Sequence, residues 1–129
     1  MRTFLITLMM VGFFQLACNQ KDDLTTATFR VKIIKEICND AIVQLTDSTY
    51  KQYAENGFML EGKIYDQVFF TRFSCQDRTK MQTLTSDLTG LVVTVKLLNQ
   101  AKSEPNCVTC AATVSSRPSK SQIIEVVGL

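Results

Sequence analysis

Polar and apolar positions alternate over several stretches of the chain, and most of its elements can be read from them. Phe29, Val31 and Ile33 alternate with Arg30 and Lys32, the period-two pattern of a strand with one buried face. The phase breaks at Ile33-Ile34, which predicts a bulge or a corner there. Asn39-Asp40 supplies a turn, and Ala41 to Thr46 returns as a second strand. Leu91, Val93, Val95 and Leu97, interleaved with Thr94 and Lys96, make the clearest strand of all.

The segments between these strands carry other patterns. Tyr50 and Tyr53 stand one helical turn apart, Asp47 or Ser48 can cap a short helical turn, and Gly57 can end it. Tyr65 to Cys75 reads as a strand with Val68 and Phe70 on one face and Phe69 and Phe73 on the other. Such a strand is central, or covered by a helix. From Asp77, the residues Met81, Leu84 and Leu88 share one helical face with Gly90 just beyond, which predicts a short amphipathic helix. Asn99 to Asn106 is a polar loop containing Pro105. Val108 to Ser115 and Gln122 to Val127 are expected to close the chain as two strands around the loop Ser116 to Lys120.

This order of elements is all-β and mainly antiparallel, with one or two short helices. It resembles an OB-like small barrel, and a disulfide-pinned β-sandwich is the alternative. Residues 28–129 are expected to form one β-rich domain, residues 18–27 a tether, and residues 1–17 a cleaved signal peptide.

The signal is read from Met1-Arg2-Thr3 and the apolar run Phe4 to Leu16, which has no polar face from Phe4 to Phe14 and is shorter than the roughly 20 residues of a membrane-spanning helix. Ala17-Cys18 follows it. This junction resembles the signal of bacterial lipoproteins, in which a small residue precedes a cysteine that becomes the new N-terminus. The resemblance implies a diacylglyceryl and acyl lipid (palmitate-like) on Cys18 and no other cofactor. Two or three chains hold a protein on a membrane stably where one does not, at about 0.8 kcal/mol per buried methylene. Lys21-Asp22-Asp23 is similar to the export signal that sends some Gram-negative lipoproteins to the outer face of the outer membrane. The implied address is therefore the outer membrane, lipid-anchored and surface-exposed, with its periplasmic face as the alternative.

Composition narrows the chemistry. The 14 basic residues, one of them Arg2 in the signal, nearly balance 12 acidic ones, so nothing favours a nucleic-acid partner. The chain has 5 cysteines, and the four beyond Cys18 are Cys38, Cys75, Cys107 and Cys110. In an oxidising compartment these are expected to form disulfides. Three pairings are open, and Cys38–Cys75 with Cys107–Cys110 is the favoured one. Histidine is absent, which removes Ser-His and Cys-His nucleophilic pairs and His-ligated zinc.

Cys107-Val108-Thr109-Cys110 has redox spacing but opens a predicted strand, so a structural bridge is preferred to a thiol-active or metal-binding module. Glu36 and Asp40, and Glu61 and Asp66, could serve a carboxylate-based hydrolase, yet nothing in their spacing sets two across a cleft, and they read as solvated charges. Tyr50, Tyr53, Tyr65 and Phe69 could form an aromatic binding surface, with Phe69 and at least one tyrosine expected in the core. Asp47-Ser48-Thr49 resembles a short O-glycosylation sequon, and helix capping explains it equally well. The expectation is a non-enzymatic, lipid-anchored domain that binds a protein or glycan partner.

Overall fold

The computed structural model describes residues 27–108 and 110–129; the signal stretch, Cys18 and Lys21-Asp22-Asp23 lie outside the described residues. Within them run β1 (Thr28–Ile37), β2 (Asp40–Leu45), β3 (Phe58–Leu60), β4 (Lys63–Tyr65), β5 (Val68–Arg72), α1 (Cys75–Gln82), β6 (Val92–Leu98) and β7 (Ile123–Gly128), with a 3-10 turn at Lys51–Tyr53. Five of the strands form one sheet in the order β5-β2-β1-β6-β7, antiparallel at every ladder, and β3 and β4 form a separate hairpin.

The all-β expectation holds, but the sheet is open where a closed barrel was expected. Between β5 and the stretch leading into β7 there is only one parallel bridge, Phe70 to Ser121, carried by Phe70 N to Lys120 O and Gln122 N to Phe70 O, both 2.9 Å. Beyond that point a side chain takes the place of a closing strand. The Val126 N–H donates to Asp77 Oδ2 at 2.9 Å.

The core follows from the alternation. Phe29, Val31 and Ile33 of β1, Ala41, Val43 and Leu45 of β2, Phe69 of β5, Val93, Val95 and Leu97 of β6, and Ile124 and Val126 of β7 all point to one side. Phe73, Met81 and Leu88 cover them. Fully burying a side chain such as Phe69 contributes about 2–3 kcal/mol. The phase break at Ile33-Ile34 is a register shift in the β1–β2 ladder. It turns Ile34 toward the opposite face of the sheet, where it packs with Ile37, Phe58 and Tyr65 against Ile42, Leu60, Val68 and Val114.

That second cluster explains why β5 is apolar on both faces although it lies at the edge of the sheet. The β3–β4 hairpin covers its outer face, where a helix or neighbouring strands were expected. The expected strand Tyr65 to Cys75 is in fact the end of β4, the whole of β5, and the first residue of α1. The hairpin turn, Glu61-Gly62, has φ of 50° and 80°, the left-handed pair that a two-residue turn between twisted strands requires.

The helix starts earlier and ends sooner than its apolar spacing implies. Ser74 caps it, accepting the Asp77 N–H at 3.0 Å, and it stops at Gln82, so Leu84 is exposed and Leu88 reaches the core from a loop. The turn at Lys51–Tyr53 has no side-chain cap: Asp47 instead accepts the Thr49 N–H at 2.9 Å within a local turn. Ala54 ends it, and Gly57 lies beyond. No strand forms across 108 and 110–115, because this stretch is held by its cysteines and by Val114 rather than by a ladder.

Candidate functional site

The long segment between β6 and β7 folds back over the sheet, and the cysteines fix its course. Cys38 bonds Cys110 and Cys75 bonds Cys107, with Cα separations of 6.0 and 5.7 Å that suit a disulfide. This overturns the favoured pairing of Cys38 with Cys75 and Cys107 with Cys110. The reason is geometric: Cys38 sits in the β1–β2 turn and Cys75 at the start of α1, and the loop reaches one with each end of its Cys-x-x-Cys. The four cysteines are thus disulfide-bonded, as expected, but the two bridges are nested. Cys38 itself has φ 58°, a left-handed conformation strained for a side chain of this kind, at the tightest point of the turn.

A carboxylate closes the other side of this joint. Glu104 accepts the Cys75 N–H on Oε2 at 3.0 Å and the Gln76 N–H on Oε1 at 3.2 Å, so a loop side chain fills the N-terminus of α1. The Cys75 and Cys107 sulfurs and the Glu104 carboxylate lie within 4.8 Å of one another, the spacing of metal ligands. Both sulfurs are bonded to each other, however, and both Glu104 oxygens are engaged, so this donor set does not suit a metal.

Between β5, the start of α1 and the segment before β7 lies a cleft of about 520 Å³. Phe70, Arg72, Ser74, Lys102, Arg117 and Gln122 are among its walls. The Arg117 guanidinium lies over the Phe70 ring, 4.7 Å from its centroid. Arg72 Nε donates to Asp40 Oδ1 at 2.6 Å, and Thr113 Oγ1 donates to Asp40 Oδ2 at 2.7 Å. Burial works against the Asp40 charge. The bonds from Arg72 and Thr113 and the positive charges of Arg72 and Arg117 outweigh it, and hold the carboxyl below the ordinary aspartate range. Lys102 pairs with Glu125 across the other wall, which lowers the Glu125 carboxyl and raises the Lys102 amine. Elsewhere, Glu55 receives the Ser119 hydroxyl and backbone N–H, with the hydroxyl bond the main cause of its lowered carboxyl.

Of the carboxylates singled out from the sequence, Glu61 and Asp66 are exposed, as expected of solvated charges, whereas Asp40 and Glu36 are drawn out of solvent into ion pairs. Asp40 is buried and paired, Glu36 accepts Arg78 Nε at 2.6 Å, Glu61 pairs with Lys35, and Asp66 accepts the Gly57 N–H at 2.8 Å. The structure brings no two of these acids together across a cleft. The aromatic set also divides. Tyr50 and Tyr53 stack on Phe29 at centroid distances of 4.9 and 6.4 Å at one end of the core, while Tyr65 lies on the opposite face of the sheet. Phe69 is fully buried as expected.

The residues that shape the cleft, Arg72, Asp77, Glu104 and Arg117, were not apparent as a group in the sequence. One signal was present: Ser74-Cys75-Gln76-Asp77 has the spacing of a capping box. No family model matches the chain, and neither a curated protein nor a solved structure matches it significantly.

Proposed function

We propose that this chain is an exported lipoprotein whose domain binds or assembles with a partner at the outer-membrane surface, without catalysis, and that the cleft between Phe70 and Arg117 is its contact site. The observation that carries this reading is the pair of nested disulfides beside the cleft. Such bridges persist in exported proteins, and these tie the loop wall of the cleft to the β1–β2 turn and to the start of α1. Cys18 is the lipid acceptor, Lys21-Asp22-Asp23 the signal for the outer face, and residues 18–27 the tether. The periplasmic face is the alternative address.

The strand order β5-β2-β1-β6-β7, with α1 between β5 and β6 and the bridge at Phe70, supports a partly open OB-like arrangement. OB-like folds bind ligands on the sheet and the loops beside it. Here the loop is the 99–122 segment that walls the cleft. Near-balanced charge favours a protein or glycan partner over nucleic acid.

The test has two arms on the full chain in its own cells. Cys18→Ala is expected to move the protein out of the membrane fraction; retention there overturns the lipid anchor. A photo-crosslinking residue at Gln76, in the cleft, is expected to give discrete adducts that one at Ser86, outside it, does not. Equal adducts at both positions, or none at Gln76, overturn the contact site.

A further inference from the structure

We propose that Arg72 and Arg117 together form an oxyanion-binding fork, so that the cleft takes a carboxylate or phosphate group of its partner. The inference rests on the cleft being the contact site. Phe70 and Arg72 are two residues apart on β5 and so point to the same face, and the Arg117 guanidinium lies over Phe70, which puts both guanidinium groups on one wall.

Each group is oriented before any ligand arrives. Arg72 is held through Nε alone, which leaves its two terminal amino groups, and 61% of its side chain is exposed. Arg117 is positioned by the ring beneath it, and among the described residues it has no ion-pair partner. A guanidinium plane offers paired N–H donors that match carboxylate and phosphate oxygens, and fixing it beforehand reduces the entropy lost on binding.

The neighbouring acids do not compete. Both Asp40 oxygens are taken by Arg72 and Thr113, both Glu104 oxygens by the helix, Glu125 by Lys102, and Asp77 by Val126. Because Glu104 fills the end of α1, the helix itself is not the anion site. A partner that covered Arg117 without bringing a negative group would bury an unmatched charge, which is unfavourable.

The test is calorimetric titration of the full-length protein with inorganic phosphate, with trigalacturonate as the carboxylate probe, and with maltotriose as a neutral control. The wild type is expected to bind at least one of the two anions, more weakly as salt rises. Phosphate alone would point to a phosphate-bearing partner, and trigalacturonate alone to an acidic glycan. Arg117→Gln should weaken that binding about tenfold, the effect of losing a charge-assisted pair. Arg117→Lys keeps the charge but loses the fork, and should fall between the two. Unchanged thermal midpoints would show that these exposed substitutions leave the fold intact.

The fork is overturned if neither anion binds the wild type, or if both Arg117 variants bind as it does. Adducts at Gln76 without anion binding would leave the contact site standing and remove only the fork. Anion binding without adducts would remove the macromolecular partner and keep the fork.

Discussion

Asp40 and Arg72 face each other directly across the β2–β5 ladder and are joined by a 2.6 Å bond from Arg72 Nε to an aspartate side chain only 3% exposed. A cross-strand pair of this kind links two strands and settles a charge that burial alone would disfavour. It also joins the fold to the cleft, since the same arginine that neutralises Asp40 presents its far end to solvent.

Acid should expose this pair. The folded Asp40 carboxyl lies below the ordinary 3.8, so its contribution to stability is fully present above that value and is lost as pH falls through the lower folded value. Urea midpoints followed from neutral to strongly acid pH should fall in that window, and Asp40→Asn should flatten this part of the profile. Arg72→Ala should cost about 1–2 kcal/mol at neutral pH, discounted for the exposure of the arginine, and shrink the acid loss, because the folded Asp40 carboxyl then moves back up toward its ordinary value.

Peptide mapping of the unreduced protein should recover Cys38 linked to Cys110 and Cys75 linked to Cys107. Replacing Cys75 and Cys107 with alanine should destabilise the fold by about 3–4 kcal/mol in chemical denaturation, given the loop they close. A 38–75 or 107–110 peptide as the main product would contradict the described loop.

Asp77 should act as a stand-in for a missing strand neighbour. Asp77→Ala leaves the Val126 N–H without its partner, a loss of about 1–3 kcal/mol. Amide hydrogen exchange should then speed up selectively at Val126, while amides of the β1–β2 ladder keep their rank order.

The hairpin turn offers a stabilising change. Glu61 holds φ 50° in a two-residue turn that favours asparagine followed by glycine. Glu61→Asn should raise stability by about 0.5–1 kcal/mol in thermal unfolding, with its surface ion pair to Lys35 contributing little to the balance. Gly62→Ala, at φ 80°, should lower it.

The long sheet was legible in the sequence because β1 and β6 alternate apolar residues with cationic or hydroxyl ones, and even the β1 bulge left a visible break at Ile33-Ile34. The β3–β4 hairpin was not, since its strands of three residues are too short for a period to register and Tyr65 runs almost directly into the apolar β5. The turn residues Glu61-Gly62 were its one local sign. Residues 108–115 alternate poorly, and what determines their path is a set of covalent and long-range contacts that no local pattern encodes. The cleft was hidden for the same reason: Arg72, Arg117 and Asp40 meet only once the segment before β7 has folded back. Cysteine count predicted bridges, while connectivity depended on which turn and which helix end the loop could reach.

The nested bridges also bear on how the protein is made. Synthesis delivers Cys38 and Cys75 before Cys107 and Cys110, and these two early cysteines are not native mates, since Cys38 bonds Cys110 and Cys75 bonds Cys107. A bond formed in order of appearance is therefore a wrong one, to be reopened by thiol exchange before α1 and the β1–β2 turn can take their proper mates. The yield of the correctly bridged domain on oxidative refolding should therefore rise with added thiol–disulfide exchange, more than with a stronger core.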